Sequence, residues 1–279
     1  MITRVTGALL RAVLVVVLIA MPSLLLPGIN SDAAQIVALV ALFAAALTFF
    51  EYVSTYPGLV EFRDAPPFNR IRFGSLFLTV FLLTMIARGA YDPTPLTFFV
   101  EVTGALIGQV IDFPYSPVRL VVLMLPEDST VEHLNTVRTA AGISYLVSLL
   151  TLAVFLIALR FKGWPSRKGS FNVWINLPTF DPTAGGDVVE RLERDARINI
   201  ALGFLLPFLM PAVIKAAATL FGSVSLENPQ TLIWTVTAWA FLPGSLFMRG
   251  IAMGRIAGMI EDKRRQNLAA AHRDGLLPV

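Results

Sequence analysis

Few side chains in this chain could do chemistry, and three of them sit beside or inside long apolar stretches: Glu101, Asp112 and Lys215. A charge in a bilayer is expensive, so such residues commonly line an ion route or pair with one another. Lys215 set against Glu101 or Asp112 would make a gate or an ion site. The alternative is structural: an ion pair, or a lysine stem lying along apolar surface while its amine reaches the headgroups. Glu51 and Arg88 fall at the ends of apolar runs, where the interface is within reach.

Other reactive groups are scarce. The 279 residues contain two histidines, His133 and His272, and no cysteine. One histidine is expected on each side of the membrane, so neither a bis-histidine haem nor a histidine-rich metal site assembles within one chain. Without cysteine there are no disulfides, thiolate nucleophiles, iron–sulfur clusters or Cys-ligated zinc. HExxH, P-loop, GxSxG and Gly-rich dinucleotide motifs do not occur. Ser–Lys hydrolysis would need a serine near Lys215, and the spacing places none there. The expectation is no catalytic residue, no metal and no cofactor.

The elements that must position these residues are apolar runs. Roughly 20 apolar residues cross the ~30 Å hydrocarbon core as a helix. Six runs meet that length, at about 8–26, 34–53, 73–90, 139–160, 199–221 and 230–250. Composition agrees, with 56% hydrophobic and 15% charged residues and a mean hydropathy of +0.71. The fold class read from this is an all-α polytopic membrane protein, a transmembrane domain over 1–260 followed by a basic tail over 261–279.

Orientation follows from charge, because connections rich in Lys and Arg stay cytoplasmic. Of 22 basic residues, all but Arg88, Arg119, Arg138 and Lys215 fall in the leader, the second and fourth connections, or the tail. That pattern predicts both termini inside. It also assigns the basic residues to membrane orientation rather than to nucleic acid. Short loops and compact size point to a bacterial inner membrane. The first run can also be read as a secretory signal peptide, with Arg4 and Arg11, an apolar core to Leu26, and small residues at 31–33. The downstream topology is the same in either case.

Contact surfaces are the remaining signal. Ala34, Ala38, Ala41 and Ala45 recur at helical spacing in the second run. Gly250, Gly254 and Gly258 form two GxxxG steps beyond the sixth. Such faces let helices approach closely, within one bundle or between subunits. Loop 54–72 mixes Tyr56, Phe62, Phe68 and Phe73 with Arg63, Arg70 and Arg72. It suits a headgroup layer or a partner's docking surface. In the 161–198 connection, Phe171, Val173, Trp174, Ile175 and Leu177 belong to a stretch of period-two alternation that predicts a short strand. That strand would lie on lipid or pair with another protein's edge.

Segment 91–129 is expected outside. Residues 96–112 read as an amphipathic helix with Thr97, Glu101, Gly104, Gly108 and Asp112 on one face, lying on the surface or re-entrant. Ser129 and Glu132 fit a capping box that starts a helix running to Phe161. Asp187 is placed to cap another, Pro207 and Pro211 should kink the fifth run, and Pro243 the sixth. No internal repeat is visible. The functional expectation is a non-catalytic accessory subunit, scaffold or assembly factor contacting lipid and other membrane subunits. A small transporter or channel near the kinked fifth and sixth spans is the alternative.

Overall fold

The computed structural model describes residues 2–28, 30–162, 164, 171–221 and 226–273. Arg167, Lys168 and the tail beyond Arg273 lie outside them. The described residues form helices and connecting turns, in the order α1 (Ile2–Leu25), α2 (Ser31–Val53), α3 (Phe68–Gly89), α4 (Pro95–Ile111), α5 (Pro117–Leu123), α6 (Val131–Lys162), α7 (Val173–Asn176), α8 (Val188–Phe221) and α9 (Pro229–Arg273). Six of these, α1, α2, α3, α6, α8 and α9, are long and apolar enough to cross a membrane. The chain is an integral membrane protein.

Local chemistry sets most helix starts. Asn30 accepts the Ala33 amide at 2.7 Å to begin α2. Thr94 and Thr97 exchange hydrogen bonds ahead of Pro95, and Ser116 accepts from the Arg119 amide ahead of Pro117. Both patterns combine an N-cap oxygen with a proline whose missing N–H needs no partner. Asp187 receives the Val189 and Glu190 amides, as its spacing predicts. The start of α6 differs from the expectation by one residue. Thr130, not Ser129, caps it through the His133 amide, which puts His133 rather than Glu132 at the third helical position.

The long helices outlast their apolar runs. At 1.5 Å per residue, the 45-residue α9 is about 67 Å long and the 34-residue α8 about 51 Å. The two form an antiparallel hairpin, the most extensive helix pairing in the molecule, and it extends past the span at the basic end. Helices α3, α6 and α9 make the centre of the bundle. Helix α4 lies against α3 and α6, and α5 lies against α6 and α8. Among the described residues, helix α2 packs on α1 and on no other helix, with Ala41 its one buried residue.

Two apolar cores result. One fills the bundle through residues such as Val80, Leu83, Ile143, Ile233, Val236 and Trp239. The other gathers at the basic end around Phe62, Phe68, Phe155, Trp164, Leu177 and Met253.

The strand expected at 171–177 is not formed. Residues 173–176 make one helical turn, capped by Asn172, and no strand occurs among the described residues. A lone strand would leave a row of unsatisfied backbone groups. Here the Asn172 and Val173 carbonyls accept from the Asn176 and Leu177 amides, and the Asn176 carbonyl accepts from the Phe62 amide at 2.7 Å. Loop 54–67 likewise departs from a headgroup-seeking layer. Phe62 and Phe68 are fully buried in the second core, while Tyr56 stays exposed.

Candidate functional site

The basic end is where most polar side chains converge. Glu61, in the loop before α3, takes Arg249 of α9 in a two-pronged pair, Nε to Oε2 at 2.7 Å and Nη2 to Oε1 at 2.8 Å. Thr179 donates to the same carboxylate at 2.7 Å. A bidentate guanidinium–carboxylate pair fixes geometry as well as charge. This one ties loop 54–67, loop 177–187 and α9 into one layer. Asn176 adds a second tie, its Oδ1 accepting the Asp64 amide at 3.1 Å, and the Trp164 indole donates to the Ala65 carbonyl. The pairing joins residues 188 positions apart, so no spacing rule could have found it.

Arg63 serves the same layer. Its guanidinium donates to the carbonyls of Glu51, Ser54 and Thr55, and its Nε lies 3.2 Å from Asp64. Arg4 donates to Tyr52 and Ser54 carbonyls, and Arg11 stands over the Tyr52 ring at 4.5 Å. Together these cations neutralise the carbonyl end of α2, where the helix dipole is negative. Glu51 turns its carboxylate onto the Gly58, Leu59 and Val60 amides and shapes the loop. Of the aromatic residues singled out for partner contact, Trp174 is 53% exposed and Phe171 half-buried beside it. Val173 and Ile175 are also partly exposed.

The three candidates for an ion site are not brought together. Asp112 sits between two arginines, Arg119 Nε 2.7 Å from Oδ1 and Arg138 Nε 2.7 Å from Oδ2. The Arg119 approach is close enough for an ion pair but not aligned as a hydrogen bond. Lys215 donates from Nζ to the Leu125 carbonyl at 3.3 Å, which anchors α8 to the turn after α5. Glu101 is exposed and leans over Gly89, where an added Cβ would lie 3.6 Å from Oε2.

The glycine faces divide sharply. A Cβ on Gly250 would meet the Ala196 carbonyl oxygen at 2.7 Å, so this residue lets α9 touch α8. At Gly254 the nearest neighbour is Ala196 Cβ at 3.8 Å, and at Gly258 nothing lies within 4 Å. Among the described glycines, the tightest approach to another backbone lies outside that motif. A Cβ on Gly142 of α6 would sit 2.5 Å from the Gly108 Cα of α4. On α2, Ala34 and Ala38 are exposed and Ala45 is half-buried.

One proline in the spans has its freed carbonyl attended to. Pro211 has no N–H for the Pro207 carbonyl, and the Trp239 indole of α9 donates to that oxygen at 3.0 Å. Outside the spans, the Arg264 hydrogen bond holds the Asp187 carboxyl below its ordinary value, against opposing desolvation. Hydrogen bonds from Thr183 do the same for Asp181. Among the described residues, no three His, Cys, Asp or Glu side chains gather as a metal site would require. Comparison with protein-family models, curated proteins and solved structures finds no match for this chain.

Proposed function

We propose that the chain is a non-catalytic accessory subunit, scaffold or assembly factor of a membrane protein complex. It sits in a bacterial inner membrane with both termini in the cytoplasm. One observation carries the reading: the layer folded onto the projecting α8–α9 hairpin. That layer uses Phe62, Phe68, Leu177 and Phe180 for its own core and still presents Trp174 and Tyr56 outward. Exposed aromatic residues on an internally held platform are the type that anchors protein interfaces.

Purification in mild detergent tests it. The wild-type chain is expected to carry a stoichiometric membrane partner, and Trp174→Ser with Tyr56→Ser to lose it while keeping the thermal midpoint. Recovery of a monodisperse chain with no partner at native expression would defeat the proposal. A small transporter or channel is the second reading, supported by prolines inside both paired helices, Pro207 and Pro211 in α8 and Pro243 in α9. Loss of flux in liposomes on alanine substitution of Glu101, Asp112 or Lys215, with folding intact, would move the assignment there.

A further inference from the structure

Between the start of α1 and the end of α2, the basic end holds an open cleft of about 480 Å3. Its walls include Arg4, Arg11, Tyr52, Thr55, Arg63 and Asp64. Arg63 is accounted for, with Asp64 3.2 Å away and the carbonyls of Glu51, Ser54 and Thr55 as acceptors. Glu51 is not part of the wall, and its carboxylate is committed to the Gly58, Leu59 and Val60 amides. Arg4 and Arg11 form no ion pair among the described residues. These two whole cations outweigh the roughly half a negative charge that the end of a helix carries.

Both arginines keep donors for a ligand. Arg4 donates from Nε and Nη2 to the Tyr52 and Ser54 carbonyls, while its Nη1 has no hydrogen bond among the described residues. Arg11 donates from Nη1 to the Gly7 carbonyl at 2.6 Å and stands over the Tyr52 ring at 4.5 Å. The ring covers one face of that guanidinium and leaves the N–H edge, the part that grips a phosphate oxygen pair.

Depth in the membrane selects the ligand. The 24 residues of α1 measure about 36 Å, more than the ~30 Å hydrocarbon core, so its first turn reaches the headgroup layer. Arg11 lies about two turns deeper than Arg4, and its bond to Gly7 turns the guanidinium back toward the same layer. Further into the span, Leu14 and Val17 of α1 and Phe43 and Leu47 of α2 are exposed. A cationic cleft at headgroup depth with apolar helix surface below it suits a ligand with a negative head and hydrocarbon tails. We propose that this cleft binds one anionic phospholipid, its phosphodiester held by Arg4 and Arg11 and its acyl chains lying along α1 and α2. A zwitterionic lipid would set its ammonium group against the same arginines. A soluble phosphate ester would gain nothing from the apolar surface. The site rests on the chain spanning a bilayer and on neither reading of its function.

The experiment uses the purified, delipidated full-length chain in a neutral detergent at physiological salt, where diffuse surface attraction is screened. Dioleoyl phosphatidylglycerol, dioleoyl phosphatidylcholine or soluble glycerol 3-phosphate is titrated in while thermal unfolding is followed, and native mass spectrometry counts retained lipid. Saturable stabilisation and one retained molecule are expected with phosphatidylglycerol, and neither with the other two. Arg11→Gln should weaken the apparent affinity about tenfold, the usual size for one lost charge-assisted hydrogen bond. Arg160→Gln removes an exposed cation outside the cleft at the same end and should leave the affinity unchanged. Equal responses to the two lipids overturn the proposal, and a soluble ester that matches phosphatidylglycerol overturns it in favour of a free phosphate site. Equal losses in Arg11→Gln and Arg160→Gln overturn it by reducing the effect to overall charge. Should Arg11→Gln not fold, Arg4→Gln at the exposed first turn decides: a weakened response supports the site, and an unchanged one refutes it.

Discussion

Glu61 and Arg249 carry more of the basic-end architecture than any other pair, because their bond joins two loops to the longest helix. Removing one partner leaves the other charge poorly compensated in a largely enclosed place. Glu61→Gln is expected to destabilise the chain by about 2 kcal/mol or more, read from chemical or thermal unfolding in detergent. Asp187 makes the same type of contact at a wetter position, with Arg264. Its depressed carboxyl contributes stability that is present above the ordinary carboxylate range and lost as pH falls through the lowered value. Asp187→Asn should therefore lower the thermal midpoint at neutral pH. The difference should shrink below about pH 4, where the reference carboxyl also protonates. A gap that widens on acidification would contradict the assignment.

Among the elements, contact between helices rests on a few bare backbones rather than on every small residue. Gly142 and Gly108 let α6 and α4 touch, and an alanine at 142 would drive a Cβ against backbone that cannot move aside. Gly142→Ala should cost about 1–3 kcal/mol, the range of overpacking. Gly258→Ala meets open space on a helix and should leave stability unchanged or raise it, by up to ~1 kcal/mol of helix propensity. Thermal unfolding of the two variants side by side checks both; equal losses would mean that α9 packs differently beyond Gly254. The turn at 173–176 teaches a related lesson. Alternating apolar residues describe which side chains want shelter, and a helical turn sheltered by loop 61–65 serves that want as well as a strand does.

Across the whole molecule, the contacts of Arg4 with Ser54, Phe62 with Asn176, Glu61 with Arg249 and Arg264 with Asp187 put the leader, both basic connections and the tail at one end. This is the end that the charge distribution assigns to the cytoplasm. A reporter fused near position 175 should therefore be cytoplasmic, and an external reporter would invert the proposed orientation along with the docking role of the basic layer. Helix α2 bears on the same question from the side, since among the described residues α1 is the one helix it packs on, and it offers most of its surface to whatever surrounds the bundle.

The six spans, the unbroken helix from 131 to 162, the cap at Asp187 and the shared basic end were all legible in the residue order. Hydropathy, capping and charge act within a few residues of where they are written. The partners of Asp112, the burial of Phe62 and Phe68 and the Gly142–Gly108 approach were not. Each depends on which distant segment arrives alongside, and a sequence states what a side chain needs without saying who supplies it. For Phe62 and Phe68 that was decided when loops 54–67 and 171–187 closed over the hairpin of α8 and α9, and for Asp112 and Gly142 when α4 settled against α6, because burial turns those needs into specific contacts.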